Sequence, residues 1–96
     1  MALRPAARQG DLSTGHGCYP PRPAANGSSN VFINGRPAHR KGDMFEKHCC
    51  GKDCHIGATM TGSATVFING IPAARVGERI SCGDIIMTGS TNVGIG

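Results

Sequence analysis

The sequence predicts an all-β protein with little or no helix, built from three similar units, and three observations carry that prediction. The heptapeptide Pro-Ala-Ala-Arg-x-Gly-acid occurs three times, at Pro5–Asp11, at Pro37–Asp43 with His39 in place of the second alanine, and at Pro72–Glu78. A longer stretch, Gly27–Asp43, matches Gly62–Glu78 at most positions, 35 residues further on. Glycine and proline, 15 and 6 of the 96 residues, fall at regular places and interrupt every stretch long enough to carry a helical period.

Taken in chain order, the units read as a circularly cut threefold object within one domain, 1–96. Half a unit lies at 5–16, whole units at 27–48 and 62–82, and another half at 89–96, where Gly89-Ser-Thr-Asn-Val-Gly-Ile-Gly96 repeats the start of the others. In each whole unit a β-branched and aromatic run, Val31-Phe32-Ile33 or Val66-Phe67-Ile68, is followed by Asn34-Gly35 or Asn69-Gly70. Asn-Gly best tolerates the positive φ angles of a type I′ turn, so each run predicts a short β-hairpin. The period of two puts Phe on one face and Val with Ile on the other. Pro37 and Pro72 lack an N–H and belong at strand starts or edges. In the last unit Gly94 stands where Phe32 and Phe67 stand, as expected of a terminal unit with no neighbour on one side.

Composition narrows the function. A chain of 96 residues buries a modest share of its surface, and Phe32, Phe45, Phe67 and Tyr19 are its only aromatics, so the core must be thin. The net charge of +4 comes from scattered basic residues with acids between them, which describes a solvated surface. Few aromatics are available to stack on bases, and no nucleic-acid partner is expected. No apolar run approaches the roughly 20 residues that span a bilayer, and the start at Met1 carries no apolar leader. The expectation is a soluble product made in the cytoplasm and, if exported, carried by another machine.

Each heptapeptide is followed by a residue able to bind a metal. His16 lies five residues beyond Asp11, His48 five beyond Asp43, and Cys82 four beyond Glu78. With His55, from the irregular segment Cys49–His55, they make a three-His, one-Cys set that suits a tetrahedral zinc ion of structural type. Cys50 or Cys54 competes with His55 for the fourth place, and His39, off the repeat phase, reads as a surface residue. Five cysteines cannot all pair within one chain, and a disulfide from Cys18 to one of Cys49, Cys50 and Cys54 fits an oxidising setting.

The three Pro-Ala-Ala-Arg segments, the Asn-Val-Phe-Ile-Asn-Gly hairpins and the interleaved His and Cys together resemble the PAAR-repeat proteins, over nearly the whole chain from Arg4 to Gly96. Thr14–Pro23 is similar to the subgroup that includes the central spike tip of T4-like phage tails. That resemblance implies a small cone of three short β-sheets with one zinc ion near the vertex, held by His16, His48, His55 and Cys82. Its base would sit on a trimeric β-helical spike, either the valine-glycine repeat protein of a type VI secretion system or the central spike of a contractile phage tail. One tip, monomeric when free, would cap each trimer, pierce an envelope with transient membrane contact, and act outside the cell or in a target periplasm after firing. Only about four residues precede the first heptapeptide, so any effector is expected to ride non-covalently. The rival readings are a small zinc-stabilised binding module, a zinc-dependent nucleic-acid module, and a metal-dependent hydrolase with Glu46 as general base.

Overall fold

The hairpins form where the Asn-Gly pairs place them. In this computed structural model, which describes residues 3–96, β1 (Arg4–Pro5) pairs with β8 (Gly94–Ile95), β2 (Phe32–Ile33) with β3 (Arg36–Pro37), β4 (His48–Cys50) with β5 (Asp53–His55), and β6 (Phe67–Ile68) with β7 (Ile71–Pro72). The 1–96 unit thus has its first two positions outside the described residues. All four sheets are antiparallel, and no helix occurs among the described residues. Asn34 and Asn69 adopt φ of 55° and 56°, each followed by a glycine at positive φ, as a type I′ turn requires.

Three of these hairpins are equivalent. Phe32 faces Pro37, Phe67 faces Pro72, and Gly94 faces Pro5 in the same register, although the last pair joins the two ends of the described chain. Behind the hairpins, the heptapeptides meet in a closed ring of backbone hydrogen bonds. The Ala7 amide donates to the Ala74 carbonyl, Ala74 to His39, and His39 to Ala7, each at 3.0 Å. Three segments crossing this closely leave room for little beyond a methyl group, and Ala6, Ala38, Ala73 and Ala74 are fully buried. Gly27, Gly62 and Gly89 are needed for the same reason. A Cβ on each would come within 2.6, 3.0 and 2.8 Å of the carbonyl oxygens of Ala38, Ala73 and Ala6. The serine that follows each glycine is buried, and its hydroxyl accepts the amides of Val31, Val66 and Val93 at 2.9 Å.

His39 is where the sequence reading needs correction. Expected at the surface, it is fully buried, because it occupies an alanine position of the axial ring. Its ring is satisfied there: Nδ1 lies 2.9 Å from the Asn26 carbonyl oxygen and Nε2 lies 2.8 Å from Thr59 Oγ1. Its edge packs on Phe45, with centroids 5.2 Å apart.

The rest of the heptapeptide is a turn that redirects the chain. The amides of Asp11, Asp43 and Glu78 donate to the carbonyls of Arg8, Arg40 and Arg75, across glycines at φ 91°, 90° and 95°. That geometry is a type II turn, whose third position favours glycine. The acid is buried in all three copies and ion-paired to the arginine three residues earlier, at 2.9, 2.9 and 2.6 Å. A buried carboxylate is costly unless paired, which explains why arginine and acid recur together.

Two small cores lie on either side of the ring. Ile68 and Ile95, with Ala6, Ala38 and Ala73, fill the hairpin side, joined by Ile33, Val66 and Val93. Phe45, Ile80 and Ile86, with Ala7, Ala24 and Ala74, fill the other, and Cys82 packs against them. Of the eleven buried hydrophobic residues six are alanine, and only Phe45 and four isoleucines are larger, so the core is thin.

Candidate metal centre

Beyond the turns, three arms run away from the hairpins and, with their returning segments, bridge one another, Ser13 to Ile86, Ala24 to Phe45 and Thr59 to Ile80. Each arm ends at a residue singled out by the repeat: His16, His48 and Cys82. The fourth, His55, comes from a segment that reads as irregular but folds as the β4–β5 hairpin. Gly51, at φ 64°, turns this finger, and the register sets His48 directly opposite His55. Opposite residues in an antiparallel pair project from the same face, so the finger delivers two imidazoles together.

The structure brings His16, His48, His55 and Cys82 into one group, with one potential ligand atom from each lying within 4.8 Å of all the others. His48 Nε2 and His55 Nε2 are 2.7 Å apart. Ligand atoms on one tetrahedral zinc ion sit about 3.3 to 3.6 Å apart, so modest side-chain movement would accommodate such an ion. His48 is buried and the other three are partly exposed. Cys50 and Cys54, the competitors for the fourth place, are instead paired with Cys18 and Cys49, leaving Cys82 as the free cysteine among the described residues. Glu46 is exposed and outside the group of four.

The surroundings fit a metal as well as the donors do. Asp84, 2% exposed, bonds His16 Nδ1, and the carbonyl of Pro20 lies 2.9 Å from His48 Nδ1. Each contact occupies one ring nitrogen and leaves Nε2 for the group, the arrangement in which outer partners orient metal-binding histidines. Burial works against the charged form of Asp84, but hydrogen bonds from His16, Ser13 and the Gly15 amide outweigh it and hold its pKa below the usual carboxylate value. Cys82 is confined from the other side by Gly57, where a Cβ would come 2.7 Å from its sulfur.

Tyr19 covers the histidines. Its ring centroid is 4.8 Å from that of His16, 4.9 Å from His48 and 4.2 Å from His55, and its hydroxyl donates to Asp53 Oδ2 at 2.5 Å. That hydrogen bond to a carboxylate raises the phenol pKa, with burial and the negative charge adding to the shift. Neither Asp84 nor Tyr19 was singled out from the sequence. The available signal was an acid two residues past Cys82 and an aromatic three past His16.

A family model described as the PAAR motif matches residues 2–51 and, in a second placement, residues 14–88. The chain belongs to the PAAR motif family. This family is associated with spike-tip proteins of contractile injection systems. No curated protein matches the chain. Two overlapping placements on one chain are what a repeated unit produces, and in this PAAR chain the Pro-Ala-Ala-Arg segments are the strands that cross at the axial ring.

Proposed function

We propose that this PAAR protein is the tip of an injection spike, seated by its hairpin end on a trimeric β-helical spike and stiffened at its other end by one zinc ion. One observation carries the seating. At the equivalent outward position of each repeat hairpin stands a large exposed apolar side chain, Phe32 at 56% and Phe67 at 55% exposure. The third place, vacant at Gly94, is filled by Leu3, 65% exposed, whose Cβ would lie 2.8 Å from a Cβ built on Gly94. The missing phenylalanine is therefore replaced from the other end of the chain. One polypeptide so offers nearly the same apolar knob three times, the surface that a threefold-symmetric partner can engage with all its subunits at once.

Two layers of core separate these knobs from the His/Cys group. Zinc supplies a rigid tetrahedral link at a place too narrow for a hydrophobic core, with His16, His48, His55 and Cys82 as its holders. A stiff point at one end and a threefold seat at the other suit a structural part of a piercing device, of either the secretion or the phage-tail kind.

Co-expression with a trimeric β-helical spike tests the reading. Wild-type chain should co-elute with the trimer, and the Phe32→Asp, Phe67→Asp double variant should fold, retain metal and elute alone. Undiminished co-elution of that variant would remove the knobs from the interface.

A further inference from the structure

The finger that carries His48 and His55 is tied to the body almost wholly by side chains. Among the described residues, no backbone–backbone hydrogen bond joins residues 47–56 to the rest of the chain, although Phe45, Glu46 and Gly57 on either side make them. The attachments are His48 Nδ1 with the Pro20 carbonyl, the Arg22 Nε–H donating to the Lys47 carbonyl at 3.0 Å, and two contacts from the turn after His16. In that turn Cys18 is bonded to Cys50, and Tyr19 bonds Asp53. Cys50 and Asp53 face each other one pair nearer the finger's tip than Cys49 and Cys54. Strand alternation therefore places the Cys18–Cys50 bond on the face that carries His48 and His55, and Cys49–Cys54 on the other. Cys49–Cys54 crosses the finger internally, whereas Cys18–Cys50 fastens it to the segment that supplies His16.

We propose that the Cys18–Cys50 disulfide is a redox-operated clasp that sets how long the centre retains its metal. The inference rests on the metal reading above. With the clasp closed, an imidazole that leaves the ion stays within reach and rebinds, because the finger's effective concentration at the site is high. With the clasp open, the finger swings out and takes two of the four ligands with it. Opening consumes one dithiol: a thiolate attacks one sulfur, a mixed disulfide forms, and the second thiolate releases it, leaving Cys18 and Cys50 as thiols and the reductant as a cyclic disulfide. Closing is the reverse exchange with a disulfide-bearing oxidant, as met in an oxidising compartment. Cys18 is exposed, so either reagent can reach it. A tip assembled in reducing surroundings thus accepts its metal through an open finger and locks it in after delivery.

The test uses the full chain loaded with Co(II), whose thiolate absorption reports Cys82 binding, and follows transfer of the metal to a chromogenic chelator with and without a dithiol. Reductant should accelerate release about tenfold or more in the wild type and in Cys49→Ser, Cys54→Ser. The Cys18→Ser, Cys50→Ser variant should release quickly under both conditions. Equal rates in oxidised and reduced wild type, or sensitivity that follows Cys49–Cys54 instead, would overturn the clasp. Failure to take up Co(II) at all, with the thiolate band absent, would overturn the metal reading and the clasp with it.

Discussion

Replacing Asp84 with Asn changes one charge and almost no volume, and the structure specifies what it should cost. Asp84 is 2% exposed and receives His16 Nδ1 on one carboxylate oxygen and the Gly15 amide, at 3.1 Å, on the other. Both oxygens therefore face donors. An asparagine keeps one acceptor and turns its NH2 toward the other donor, leaving a buried N–H facing an N–H. Either His16 loses the partner that fixes its tautomer, or the 15–16 turn loses an amide acceptor. Loss of an outer carboxylate typically lowers metal affinity about 10- to 100-fold, which corresponds to about 1.4 to 2.7 kcal/mol at 25 °C. Competitive titration of zinc between the protein and a chelator of known affinity measures this directly. Affinity unchanged within a factor of two would show that Asp84 does not orient His16, and the proposed role of the carboxylate would be wrong.

Gly57→Ala should disturb the opposite side of the centre, because its methyl would lie 2.7 Å from Cys82 Sγ and 2.6 Å from Ile80 Cγ2. A weakened thiolate band in the Co(II)-loaded variant checks it. His39 gives the fold a pH dependence: burial pushes its pKa below the ordinary 6.5, partly opposed by the Asn26 carbonyl. Its neutral form supports the fold fully above that value, and the contribution is lost as pH falls through the lower folded-state pKa. Denaturation midpoints of wild type minus His39→Ala should thus narrow from about pH 7 to about pH 5, and a gap independent of pH would contradict this. Chelation, or His16→Ala or Cys82→Ala, should lower the melting temperature sharply. Structural zinc contributes an apparent binding free energy of ~10–16 kcal/mol against whole-domain stabilities of ~5–15 kcal/mol, so calorimetry with and without chelator decides it.

Much of this molecule was legible because it repeats. Asn34-Gly35 and Asn69-Gly70 located two hairpins, and the spacing from each acid to His16, His48 and Cys82 located three members of the group that the fold assembles. What escaped lies where the repeat is broken. His39 looked like a surface substitution because period alone does not tell how tightly three strands cross at an axis. The segment from Cys49 to His55 carries no apolar alternation, since its side chains serve disulfides and imidazole pairing, and so it hid a hairpin. Gly94 looked like a truncated end until Leu3, distant in sequence, proved to stand in its place. Asp84 and Tyr19 act through contacts across 68 and 34 positions of chain, respectively, which no local pattern encodes.

The central claim is that one chain supplies a threefold seat and a metal-bound point, and the mass of the intact complex tests both halves together. Native mass spectrometry of the chain bound to a trimeric β-helical spike should give one tip, three spike subunits and one zinc ion. A complex with three tips per trimer, or a fully occupied seat carrying no metal, would contradict the account.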